Sequence, residues 1–185
     1  MHASLGDHLT DLVQNAIEAG ATRVDVRIIE QAAVLELEVI DNGCGMSEQT
    51  LRRALDPAST DGRKHPGRRF GLGLAFLKQM ADATGGRLDL ASKPGQGTQV
   101  RLALDRTHVD LPPQEGLAGA LAGLMGFEGA YELTIAHQCD ERSYRVSRSE
   151  LTAALGEIET AMSQALVVDF FTSREESLDV KDGNQ

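Results

Sequence analysis

Residues 22–29 and 33–40 alternate apolar and polar side chains with a period of two, and a segment of helical period stands directly before them. Val24, Val26 and Ile28 share one face of the first run, and Leu35, Leu37 and Val39 one face of the second, across a short polar break at Glu30 and Gln31. The pattern predicts a β-hairpin with a single apolar face. Such a hairpin is stable only when that face is covered, and covering elements are legible on both sides of it. Leu5, Leu9, Leu12, Val13, Ala16 and Ile17 recur at helical spacing up to Gly20, predicting a helix over residues 3–19. Leu74, Leu77, Met80 and Ala81 form a second stripe that stops at Gly85 and Gly86, predicting a helix over 72–84. Residues 87–92 and 98–104 alternate again about a turn at 93–97. Ser47 caps a short helix that ends near Leu55, and a polar loop with a cluster of bases fills 56–69. This order of elements fits an α/β fold, a two-layer sandwich whose mixed sheet is covered by helices on one face.

The character changes past residue 106. A joint at Leu111, Pro112 and Pro113 leads into a small-residue helix over 114–126, strands over 131–137 and 143–146, and a final helix begun by the capping box Ser147 and Glu150 and ending near Phe171. The expected division is therefore residues 1–106 for the sandwich, 107–172 for a small α+β C-terminal extension, and 173–185 for a polar, disordered tail. Five of the seven aromatic residues fall in the extension.

Charge and cysteine usage narrow the function. Twenty-eight acidic against eighteen basic side chains give a net charge of −10, which opposes nucleic acid or an anionic membrane as the main partner. Cys44 and Cys139 lie far apart without a Cys/His pairing, so neither a disulfide framework nor a zinc site is encoded. The first residues lack a basic, apolar leader and no run of about 18 apolar residues follows, so the expected location is cytoplasmic, away from any membrane.

Four short motifs occur in fixed order on these elements. Asp11, Asn15 and Glu18 lie on the first helix; Asp41, Gly43, Gly45 and Met46 follow the second strand; Gly71, Leu72, Gly73 and Leu74 open the second long helix; Gly95, Gly97 and Thr98 start the last strand of the sandwich. Asp11 and Asn15 are four apart on one helical face, so one can act as a base while the other offers a neutral oxygen to Mg²⁺. Glycines at 43 and 45 let backbone lie flat against a planar ring while Asp41 accepts an amino proton. Gly71 and Gly73 put bare N–H groups at a helix N-terminus, where anions bind. Competing nucleotide motifs fail: Gly62 and Gly67 are followed by Arg68 and Arg69 rather than by the Lys and Ser/Thr of a P-loop, and Gly43 with Gly45 is followed by Glu48 where a dinucleotide fingerprint needs glycine.

With these motifs, residues 5–105 resemble the GHKL superfamily of ATPases, the gyrase, heat-shock chaperone, histidine kinase and MutL group, whose fold is the Bergerat sandwich. The resemblance implies ATP and Mg²⁺ as ligands. It implies Asn15 as the Mg²⁺ ligand, Asp41 at the adenine amino group with Gly43, Gly45 and Met46 around the base, Thr98 assisting there, and Gly71 to Leu74 at the phosphates. Residues 56–70 become the ATP lid. Six bases against two acids make residues 52–69 the one basic stretch of an acidic chain, and Lys64 and Arg68, with Arg63 and Arg69, are placed to reach a γ-phosphate. Hydrolytic members carry a glutamate four residues before the asparagine; here Asp11 stands there, one methylene shorter, with Glu18 as the second candidate base.

The whole chain is also similar to small stand-alone bacterial ATP-binding proteins labelled histidine-kinase-like, which share the joint at His108, Asp110, Pro112 and Pro113. Only 14 residues precede Asn15, too few for a phosphoacceptor hairpin, and none of the five histidines is followed by an acid, so self-phosphorylation on histidine is disfavoured. The expectation is a slow ATPase whose lid closure regulates a protein partner through residues 107–172. A serine/threonine kinase of the anti-sigma-factor type, or a nucleotide-binding module without turnover, are the alternatives.

Overall fold

A computed structural model describes residues 3–56 and 73–179. Helix α1 (Leu5–Glu18) leads into the hairpin β1 (Arg23–Gln31) and β2 (Val34–Asp41), followed by α2 (Glu48–Ala54), α3 (Gly73–Ala83), β3 (Arg87–Lys93) and β4 (Gly97–Asp105). Past the joint come α4 (Leu117–Met125), β5 (Glu132–Cys139), β6 (Arg142–Ser147), α5 (Arg148–Leu155) and α6 (Ala161–Asp179). The expected elements are present as far as β6. Ser4 adds a capping box that hydrophobic periodicity does not reveal, its hydroxyl accepting from the Asp7 N–H while the Asp7 carboxylate accepts from the Ser4 N–H.

The six strands form one mixed sheet in the order β3-β4-β2-β1-β5-β6. Strands β1 and β5 run parallel; the other neighbouring pairs are antiparallel. Val24, Val26 and Ile28 of β1, Leu35, Leu37 and Val39 of β2, Val100, Leu102 and Leu104 of β4, and Leu133 and Ile135 of β5 are buried in one core with Leu5, Leu9 and Val13 of α1, Leu77 of α3 and Leu121 and Leu124 of α4. The other face carries a cross-strand charge ladder, with Arg27 on Glu38 and Arg101 on Glu36. The α/β sandwich with a mixed sheet is thus present, and the strands past residue 106 lengthen that same sheet along the β1 edge.

Two expectations are corrected. The final helix is two helices, because Gly156 takes a left-handed φ of +79° and ends α5. The tail does not lose structure at residue 173, since α6 runs to Asp179. Its last turns are held down: Leu178 is buried, and Glu175 accepts hydrogen bonds from Tyr144 and His137. The aromatic residues of the extension also prove to be core. Phe171 is fully buried and meets Tyr144 and Phe170 edge to face, while the Tyr131 hydroxyl donates to the Leu124 carbonyl. Along the small-residue stripe of α4, Ala120 packs on Gly6 of α1, whereas Gly116, Gly119 and Gly123 have open space in front of them.

Candidate functional site

A pocket lies between α1 and the C-terminal end of β2. Its walls are apolar, from Leu12 and Ala16 of α1 and Ala19 just beyond its end, Val39 and Val100 of the sheet, and Met46, Ala54 and Leu74. Polar groups enter at few points, chiefly Asn15, Asp41 and Thr98, which is the composition of a pocket that grips a flat apolar ring by its edge.

Asp41 ends β2 opposite Thr98 of β4 in register. Its Oδ1 accepts the Gly43 N–H at 2.7 Å. Burial raises its carboxyl above the usual carboxylate range, while the Gly43 and Thr98 N–H groups pull it down. Two turns hold it there. Gly45, at φ +63°, presses on the Lys93 carbonyl, and Gly97, at φ +87°, on the Asp41 carbonyl, so a Cβ at either position would overlap backbone. The Gly95 N–H donates to the Cys44 carbonyl at 2.7 Å and ties the turns together. Gly43 is buried against Ala19, whose carbonyl accepts the Cys44 N–H at 2.9 Å, so the loop hugs the end of α1.

On α1, the Asn15 Nδ2 donates to Asp11 Oδ2 at 3.1 Å. The side-chain oxygen of Asn15 is thereby the atom of the pair turned away from Asp11, a single neutral donor of the kind that completes a cation's shell but does not hold one alone. Among the described residues no group of three or more His, Cys, Asp or Glu side chains is arranged to hold a metal alone. Asp11 does not line the pocket itself; it stands behind Asn15 and against Gly73, where a Cβ would overlap its carboxylate. Partial burial raises Asp11, opposed by the hydrogen bond from Asn15 and by His8, with Glu18 adding to the rise.

The structure therefore brings together Asn15, Asp41, Gly45, Met46, Leu74 and Thr98 on one pocket, with Asp11, Gly43 and Gly73 packed directly behind. Glu18 is not brought in: it is exposed and accepts from Gln14 at 3.0 Å. Lys64, Arg68, Gly71 and Leu72 lie outside the described residues. Sequence reasoning assigned no role to Asn42, whose Oδ1 accepts the Thr22 and Arg23 N–H groups at 2.9 Å and anchors the loop to β1. It also missed Ser92, which meets Met46, Gly97 and Thr98 at once. The signal for Ser92 lay in its place just before the turn, where strand alternation puts it on the same side as Leu90 and Leu88.

The model of the family of histidine kinase-, DNA gyrase B-, and HSP90-like ATPases matches residues 3–108. The sensor histidine kinase AruS of Pseudomonas aeruginosa is 34% identical over 156 residues, covering 77% of this chain and 15% of AruS. The DNA mismatch repair protein MutL of Sphingopyxis alaskensis is 50% identical over 52 residues, which are 28% of this chain and 8% of that protein. The chain thus spans a small fraction of the length of these relatives. Among solved structures, the N-terminal domain of a DNA repair protein superposes with a TM-score of 0.53 over 84% of this chain and 58% of that one, at 13% identity, a likeness of fold.

Proposed function

Since the chain belongs to the family of histidine kinase-, DNA gyrase B-, and HSP90-like ATPases, we propose that its pocket binds ATP with Mg²⁺ and hydrolyses it slowly, closure of residues 56–70 altering how residues 107–172 meet a protein partner. The observation that carries the reading is the half-buried Asp41, held by the Gly43 N–H in the wall of a largely apolar pocket. A carboxylate so placed accepts from an exocyclic amino group and discriminates strongly, because an unmatched base leaves it desolvated and unpaired.

The fit extends along α1. Asn15 offers its carbonyl oxygen toward a cation shared with the phosphates, which neutralises charge on them when bound. Asp11 serves as the water-activating base, and burial moves its affinity for protons in the direction a base needs. Its short side chain and its position behind Asn15 argue for low turnover. Glu18 is exposed and engaged with Gln14, so the base role rests on Asp11. Among the described residues no helix is long and apolar enough to cross a membrane.

The experiment follows the γ-phosphate of labelled ATP. Inorganic phosphate released slowly by the wild-type chain, and not by Asp11→Asn, supports hydrolysis. Label appearing on serine or threonine of an added cell extract instead supports kinase action, and ATP bound but unconsumed supports a module without turnover.

A further inference from the structure

Ser92 of β3 stands beside the pocket without lining it, and its hydroxyl meets three groups. The Met46 N–H donates to Ser92 Oγ at 2.8 Å, the Gly97 carbonyl oxygen is 3.0 Å away, and Thr98 Oγ1 is at 2.9 Å. A hydroxyl has one proton and two lone pairs. The Met46 amide can only donate and the Gly97 carbonyl can only accept. The Ser92 proton is therefore used on Gly97 and one lone pair on Met46. The second lone pair is all that remains for Thr98, so the Thr98 hydroxyl donates to Ser92 and turns only lone pairs toward the pocket it lines. Its register partner Asp41, when ionised, is likewise an acceptor only.

We propose that Ser92 is a specificity-determining positioning residue. By fixing Thr98 as an acceptor beside Asp41, it makes the pocket select purines that present an amino group there and reject those that present a carbonyl. The inference rests on the nucleotide reading above. A carbonyl facing two acceptors leaves desolvated lone pairs without donors, whereas an amino group offers two N–H bonds. Without the Ser92 hydroxyl, Thr98 is free to rotate and to donate, and the rejection weakens. A merely structural Ser92, stapling the 93–97 turn to Met46, would instead affect every nucleotide equally.

Calorimetric titration with the Mg²⁺ complexes of ADP and IDP, which differ by 6-amino against 6-oxo, separates the two roles. Wild type is expected to favour ADP by about tenfold to a hundredfold. Ser92→Ala is expected to weaken ADP several-fold while leaving IDP unchanged or improved, contracting the ratio at least several-fold, and Ser92→Thr to restore it. Equal weakening of both nucleotides, an unchanged ratio, or no rescue by threonine overturns the assignment. Should Ser92→Ala not fold, Thr98→Val removes the same fixed acceptor from the other side, and an unchanged ratio there overturns it too. ADP binding with equal weakening refutes Ser92 alone, whereas no binding of ADP by wild type refutes the nucleotide reading beneath it.

Discussion

Gly45 and Gly97 occupy positions that no side chain can share, each with a left-handed φ and each pressed against a carbonyl of the other turn's strand. Gly95 between them has φ +74° but nothing within 4 Å of a built Cβ. Gly95→Ala is therefore expected to cost only the conformational penalty of about 1–2 kcal/mol. Gly97→Ala adds a steric clash with the Asp41 carbonyl and is expected to cost clearly more, and to disturb the pocket as well. Urea denaturation midpoints of the two variants check this, and equal losses would contradict it. The catalytic assignment belongs to the same scale. Asp11→Asn keeps the hydrogen-bonding shape beside Asn15 but removes the base, so nucleotide affinity should change less than about threefold while turnover falls about a hundredfold or more. Unchanged turnover in a phosphate-release assay would move the role to another group.

The end of α6 and the end of β1 are joined by a buried charge cluster far from the pocket. His137 of β5 is 2% exposed, with Nε2 3.1 Å from Glu30 and Nδ1 3.1 Å from Glu175; Arg106 pairs with Glu30 at 2.6 Å, and Tyr144 donates to Glu175. Burial alone would push the imidazole down, but the hydrogen bonds and charges of Glu175 and Glu30 outweigh it and raise His137 from 6.5 to about 9. A group whose folded pKa lies above its unfolded one stabilises fully below the unfolded value. That contribution, at most about 3 kcal/mol, is lost as pH climbs from about 6.5 through 9. Melting temperature should fall across that window in wild type and stay flatter in His137→Gln; identical pH slopes would contradict the cluster's role. This cluster also explains where sequence reading stops. Alternation located β1, β2 and β4 because each buries one face, and Gly20 and Gly85 marked the helix ends. Nothing local marked residues 173–179 as ordered, because Glu175 is fixed by His137 of β5 and Tyr144 of β6, partners distant in sequence. The pocket divides the same way: Asp41 and Asn15 were legible from motif spacing, whereas Ser92 acts through Met46 and Thr98, which only the paired strands bring to it.

Across the whole molecule, β1 is the shared element. It pairs with β2 on one side and β5 on the other, so the sandwich and the segment past residue 106 have one sheet and one core. The pocket lies at the Val24 and Asp41 end of the hairpin, and the His137 cluster at the Glu30 end, about 20 Å along the strand at the usual rise per residue. Such continuity predicts a single cooperative unfolding transition, shifted together by Gly97→Ala in one half and His137→Gln in the other, and two separable transitions in calorimetry would contradict it. All of this matters for function only if the slot holds a nucleotide. Isothermal titration of the full chain with ADP and Mg²⁺ tests that directly. Saturable one-to-one binding by wild type, weakened about a hundredfold or more in Asp41→Asn, is the predicted result. No saturable heat in wild type, or an Asp41→Asn chain that binds as well, would contradict it.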